Sequence, residues 1–408
     1  MAPGRLYPDY EYLQASVPLV YHGPGVEEGT AVLMMTSFRL LILLLATTPG
    51  LAKTLYVATT GNDTNPGTLA RPFRTIQHAA DVVDPGDTVV VQNGTYSNAA
   101  RSGPGSTLVN LTRGGTADKY VTFTSQNKWG AVLDGLNNTT AEGVEFGANY
   151  VRFQDFEVRG FSDDAFSNYR GGQFIEIRGN HIHDEGRYCT DTGTGRDGIY
   201  VSRNNVIIEL NLIRDIGRYG PGENGCHPRT VYYQANDHGV YISGASNVLI
   251  RNNVFYRVEH GYSIQVYPGD VDNISILHNT MVWGNAYGYQ GFIIVSTSPK
   301  GSTNLRVEDN IGYSAPAGYF MRFANPNTGY TGVIARNVTY KGTISDGKPR
   351  GVRFSENSDN TDPRLTSVGS PKVGDTSVPD VHLGLASPAI GRGVQFPDLS
   401  SDGASSRP

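Results

Sequence analysis

The feature that most limits what this chain can become is a phrase repeated six times, a short strand of alternating character closing on asparagine. The instances end at Asn180, Asn211, Asn253, Asn279, Asn310 and Asn337, each preceded by a run such as Ile175-Glu176-Ile177-Arg178 or Leu305-Arg306-Val307-Glu308. The steps between them are 31, 42, 26, 31 and 27 residues. A constant core with variable excess describes coils of one size that carry loops of different length. Stacked coils rise by about 4.8 Å each, and strands pair with the next coil, so every backbone polar group finds a partner. Asparagine at the turn tolerates left-handed geometry and can hydrogen-bond to the asparagine of the next coil. One coil earlier Phe156 stands in the matching place, so the ladder starts late. A propeller needs four strands per roughly 40–50 residues, and the shortest intervals cannot hold them. The expected fold is all-β, a right-handed parallel β-helix.

Composition agrees. Among 408 residues there are 50 Gly and only 17% charged residues, a turn-rich profile poor in helix formers. The net charge of -5, with no long basic tract, argues against nucleic acid as a partner. Before the repeats, Leu55-Tyr56-Val57-Ala58 reads as a strand, and residues 72–83 read as a short amphipathic helix suited to capping the open apolar end. Residues 53–345 are assigned to the β-helix with its cap, and 346–408, where the periodicity fades, to a C-terminal cover. Residues 40–46 are a short apolar run behind Arg39, followed by small residues up to Ala52. They mark 35–52 as a signal peptide, too short to span a bilayer, and 1–34 as sequence ahead of the true start at Met34 or Met35. The mature chain is expected to be a secreted monomer without a membrane anchor. Cys189 and Cys226 fit no metal motif; they are either a disulfide joining two long loops or two buried thiols.

Tyr56-Val57-Ala58-Thr59-Thr60-Gly61-Asn62-Asp63, then Arg71-Pro72-Phe73-Arg74-Thr75-Ile76 and Pro85-Gly86-Asp87, resemble the opening of secreted β-helix carbohydrate-active proteins. These include family 9 pectate lyases and several β-helix glycosidases. Asp362-Pro363-Arg364-Leu365 and Leu383-Gly384-Leu385-Ala386-Ser387-Pro388-Ala389-Ile390 resemble their closing phrase. The resemblance implies the fold, export and a polysaccharide substrate. It also implies a lysine base and an Asp-rich calcium site, and here the chain departs from it. Lys53, Lys119, Lys128, Lys300, Lys341, Lys348 and Lys372 all miss the central coils, and Asp163-Asp164 is followed by Ala165. The metal is left unassigned, with Ca2+ as the candidate.

Aligned on the ladder, the first strands begin with Asp164-Ala165, Asp197-Gly198, His238-Gly239, His260-Gly261 and Gln290-Gly291, preceded by Asp163, Arg196, Asp237, Glu259 and Tyr289. The small residue beside each polar group would let a ligand come close. Outward positions then give Tyr200, Tyr241 and Ser263, followed by Ser202, Ser243 and Gln265. The long insertions 184–196 and 215–237 end on the same edge and bring Arg187 and Arg218. His238, His260, Tyr241, Asp197, Asp237 and Glu259 are the catalytic candidates. Arg196, Tyr200, Gln265, Tyr267, Arg187 and Arg218 are the substrate-binding ones. A second column, His183, Arg214 and Tyr256 with Asp184, Asp215 and Arg257, alternates charge like a solvated face.

Three functions fit. β-Elimination of a uronic-acid polymer such as pectate or alginate needs the carboxylate neutralised, by Arg196 or by a cation on Asp197 and Asp237. His238 or His260 would take the C5 proton and Tyr241 would donate to the leaving oxygen. Hydrolysis would use two carboxylates from Asp164, Asp197, Asp237 and Glu259. A non-catalytic carbohydrate-binding or adhesion role is the third, since fold does not dictate function.

Overall fold

The computed structural model describes residues 51–190, 195–227, 236–258, 260–267, 271–284, 291–295, 301–325, 329–372 and 374–394. Among them, parallel strands form three long sheets of 11, 9 and 9 strands, each running the length of a β-helix. Successive coils contribute one strand to each. Ile175–Arg178 pairs in register with Val206–Glu209, which pairs with Val248–Arg251, and these belong to the 11-stranded sheet. Asp164–Ser167, Asp197–Val201 and His238–Ile242 belong to the second sheet. His181–His183, Leu212–Ile216 and Val254–Val258 belong to the third. The interior is one continuous apolar column. Val151, Ile175, Val206, Val248 and Ile274 stack from coil to coil, as do Phe166, Ile199, Val240 and Ile264, all buried.

The asparagine ladder lies inside this column, with each member at most 2% exposed from Asn180 to Asn337. Each Oδ1 accepts the backbone N–H of the preceding coil's asparagine, Asn180 to Asn211 at 2.9 Å and Asn211 to Asn253 at 3.0 Å. Each Nδ2 donates to a strand carbonyl of the coil below, as from Asn211 to Ile177 at 2.9 Å. The ladder reaches one coil further than the repeat shows, because Asn357 accepts from Asn337 at 3.0 Å. At the other end Phe156 donates its N–H to Asn180 at 3.0 Å. The left-handed residue is the one before each asparagine. Gly179, Leu210, Asn252, His278, Asp309 and Arg336 all have φ between 54° and 64°. The bend is thus made by residue i−1, and the asparagine is in the ladder for its amide.

The coils begin earlier than the repeat suggests. Thr54–Val57 and Thr88–Val91 are already the first rungs of the long sheet. The helix Ile76–Val82 starts where Thr75 accepts the N–H of His78, and it buries Ile76, Ala79 and Ala80 over the open end. Val352–Ser355 is the last rung of the long sheet, so the coils run past residue 345. The chain then turns back along the third sheet. Tyr256 donates its hydroxyl to the Ser370 carbonyl at 2.7 Å, and Arg257 reaches the carbonyls of Ser370 and Asp375 at 3.1 and 2.7 Å. Tyr256 and Arg257 are therefore buried, and Arg257 pairs with Asp215 at 2.6 Å. This corrects the expectation of a solvated face at that part of the column. Among the described residues no helix is long and apolar enough to cross a membrane.

Candidate active site

Polar side chains collect on the outer face of the second sheet, in two columns. Glu142, Asp164, Asp197 and His238 lie opposite one another on successive strands, and Glu145, Ser167, Tyr200, Tyr241 and Gln265 do the same three residues on. The spacing of three, where plain alternation gives two, comes from an extra inward residue in each strand. A Cβ on Gly198 would meet Ile213 and Ile216 of the core, and one on Gly239 would strike the Phe255 ring at 2.8 Å. These glycines serve close approach inside the coil, not access for a ligand as the sequence suggested.

At the lower end of the face, Glu142, Asp163 and Asp164 bring one carboxylate oxygen each to within 4.8 Å of one another. Thr107 donates to Glu142 at 3.1 Å, Arg196 pairs with Asp163 at 3.0 Å, and the Arg170 N–H donates to Glu145 at 2.8 Å. Burial raises the pKa of Glu142; the Thr107 hydrogen bond opposes that shift and the charge of Asp163 adds to it. Burial pushes Glu145 up to about 7, against the Arg170 amide bond and with the charge of Glu142. Crowded carboxylate oxygens suit a hard divalent cation such as Ca2+, which would relieve their mutual repulsion. Glu142, Asp163 and Asp164 would hold it.

The upper end is aromatic. Tyr241 lies 5.4 Å from the rings of both Tyr200 and His238, edge-on to each. Burial raises the Tyr241 hydroxyl well above its ordinary range, with the charge of Asp197 adding and hydrogen bonds to Ser243 and Gln265 opposing. His238 is fully buried and depressed to about 3, chiefly by desolvation. Its Nδ1 accepts the Tyr262 N–H at 3.1 Å, which leaves the proton of the neutral ring on Nε2. The nitrogen a base would use is engaged, and this counts against His238 as proton acceptor. Nor does His260 stand in register with it. Val240 pairs with Ile264 and Tyr241 with Gln265, so Tyr262 is the ring that stacks on His238. The coil after His260 carries two residues more than the alignment allowed. His260 sits on the preceding bend, fully buried, with Nε2 3.9 Å from Glu223.

Asp237 and Arg218 meet each other instead of solvent. Both side chains are 0% exposed and pair at 2.7 Å, while Asp237 also accepts the N–H groups of Arg196 and Arg218 at 3.1 and 2.9 Å. A cation on Asp197 and Asp237, and a sugar on Arg218, are therefore not supported. Asp197 is buried and accepts the His238 N–H at 3.1 Å. Arg187 is buried too, donates to the Gly217 carbonyl at 3.0 Å and lies over Tyr219. Arg196 keeps a 10% exposed side chain between Asp163 and Tyr188. Tyr200, Gln265 and Tyr267 line the face, with Gln265 and Tyr267 partly exposed. Glu259, Tyr289 and Gln290 lie outside the described residues. Glu142 and Glu145 were missed, although Glu142-Gly143-Val144-Glu145 repeats the polar-small-apolar-polar pattern of Asp197-Gly198-Ile199-Tyr200 one coil before the first strand aligned. The flanking insertions are stapled by a Cys189–Cys226 disulfide, the first of the two alternatives, with Cα atoms 5.6 Å apart.

These observations define a right-handed parallel β-helix with a carboxylate-lined outer face. Residues 55–225 match the family model described as "Pel9A-like, right handed beta helix region". The chain is 24% identical over 327 residues to pectate lyase PEL9 of Emericella nidulans, covering 72% of this chain and 74% of that protein. It is 29% identical over 140 residues to the uncharacterized protein YwoF of Bacillus subtilis, a match spanning only 28% of that protein. Among solved structures, pectate lyase Pel9A superimposes with a TM-score of 0.51 at 14% identity, over 87% of this chain and 95% of that one. The complex of XylC with xylose gives 0.50 at 13% identity, over 74% and 69%.

Proposed function

We propose that this chain is a secreted enzyme that cleaves an acidic polysaccharide by β-elimination on the outer face of the second sheet. The observation that carries the reading is the clustering of Glu142, Asp163 and Asp164 oxygens within 4.8 Å of one another, beside a carboxyl group tuned to about 7. A cation held there would neutralise the uronate carboxylate and make its C5 proton removable. Glu145, half ionised near neutrality, is the group assigned to take that proton; the C4–O bond breaks as the C4–C5 double bond forms, and the leaving oxygen takes its proton from water. Tyr241 stands three rungs away, about 14 Å at the usual strand spacing, and so serves a neighbouring sugar subsite, with Tyr200 and Gln265, and not the same proton transfer. The disulfide fits an oxidising compartment and thus supports export behind the 35–52 signal.

The test is to incubate pectate, alginate and neutral glycans with the protein, with and without calcium, and to follow the ultraviolet absorbance of unsaturated products. Activity on a uronic polymer, needing calcium and falling at least a hundredfold in Glu142→Gln or Asp163→Asn, is expected. Loss of neither activity nor calcium dependence in those variants would remove the cation from the account. One observation favours hydrolysis as a second reading. Glu142 and Glu145 are both raised by burial and lie three residues apart on one strand, so that one can hold a proton beside an ionised partner. Reducing ends without an unsaturated sugar would select it.

A further inference from the structure

The third sheet carries a separate group of metal-binding side chains. Glu157 and His181 are paired on neighbouring strands, and His183 follows two residues on, along the same face. One ligand atom from each lies within 4.8 Å of the others. The two imidazoles stack with centroids 4.2 Å apart, and Trp129 packs against His181 at 4.9 Å. His183 Nδ1 is 2.6 Å from Asp184 Oδ2, and its Nε2 is 3.3 Å from Glu157 Oε1. A carboxylate that holds the Nδ1 proton is how metal-binding histidines are oriented, since it turns the Nε2 lone pair toward the ion. Desolvation first, then the charges of His183 and Arg214, depress His181 to about 3. Burial works against charge on His183, but its bonds to Asp184 and Glu157 outweigh that and raise its pKa.

Two cations stand at the group. Arg159 donates to Glu157 at 2.9 Å, and Arg214 Nε to His181 Nε2 at 3.0 Å. Each has another acid, Arg159 with Asp134 at 3.1 Å and Arg214 with Asp215. Either can draw back from the site and keep a counter-charge.

We propose that Glu157, His181 and His183 bind a divalent transition ion of the zinc type, apart from the hard-cation cluster on the second sheet. Two imidazoles and a carboxylate match zinc's preferences and leave a position for water, whereas calcium avoids nitrogen donors. His183 and Asp184 open the insertion that leads to Cys189, so the ion would pin the root of the loop that flanks the active face.

The test is calorimetric titration of the untagged, chelator-stripped full chain with zinc, alongside visible absorption with cobalt(II) in its place. The expected result is one saturable equivalent, not displaced by excess calcium, with affinity at least tenfold weaker in His181→Ala. Arg214→Gln, which releases His181 Nε2, should tighten binding severalfold and keeps the test open if a histidine variant fails to fold. No saturable zinc binding, or the same affinity in His181→Ala, would overturn the proposal.

Discussion

Glu145 holds its proton to about 7 because folding takes its carboxyl out of water beside Glu142. The unfolded chain would release that proton near 4.5, so between these values the folded state binds more protons than the unfolded one. Stability conferred by the neutral acid is therefore full below about 4.5 and declines as pH rises through about 7. Glu145→Gln should flatten that decline and stabilise the protein at pH 8 by on the order of 2–3 kcal/mol, seen in urea melts at several pH values. Asp237 has the opposite character. Asp237→Ala strands the buried Arg218 charge and should cost about 3–5 kcal/mol, a loss read in the same melts whether or not substrate is present. Both residues are acids in or beside strands of the second sheet, and the sequence does not separate them. Asp237 differs because the insertion before it folds Arg218 back onto it, a long-range contact that local pattern does not encode.

At the scale of strands and loops, the asparagine ladder was legible because each coil repeats the same buried need, an amide to bridge two backbones. The register of the second sheet was legible only as far as His238. Beyond it the bend at His260 lengthens by two residues, and an alignment anchored on His-Gly places the wrong ring beside His238. The extra inward glycine in these strands, Gly198 and Gly239, explains why polar positions recur three apart, a spacing that alternation alone does not predict. The insertions are held by one covalent tie across 37 residues of sequence. Reducing Cys189–Cys226 should free the loop while the coils, whose hydrogen bonds run from rung to rung, stay formed. Limited proteolysis with and without reductant checks this. New cuts confined to residues 184–237 are expected, and unchanged cutting would show that packing alone fixes the insertions.

For the whole molecule, a β-helix presents long parallel faces, and the chain uses two of them differently. The third sheet is partly covered by the returning C-terminal segment through Tyr256, Arg257 and Trp283, the last donating to the Val368 carbonyl at 2.8 Å. The sequence does not say where that segment lies, because nothing local in residues 365–375 names its partners a hundred residues away. The second sheet gathers the carboxylates, and in the proposed reaction the outcome turns on which way Glu145 moves a proton. The pH dependence of product formation on a uronic polymer, with calcium present, measures that directly. As a base Glu145 must be ionised, so the rate of unsaturated-product formation should rise through about pH 7 or somewhat below, since bound calcium relieves the repulsion from Glu142, and Glu145→Gln should abolish the rise. A rate that instead falls through that range, or a profile unchanged in Glu145→Gln, would contradict the account.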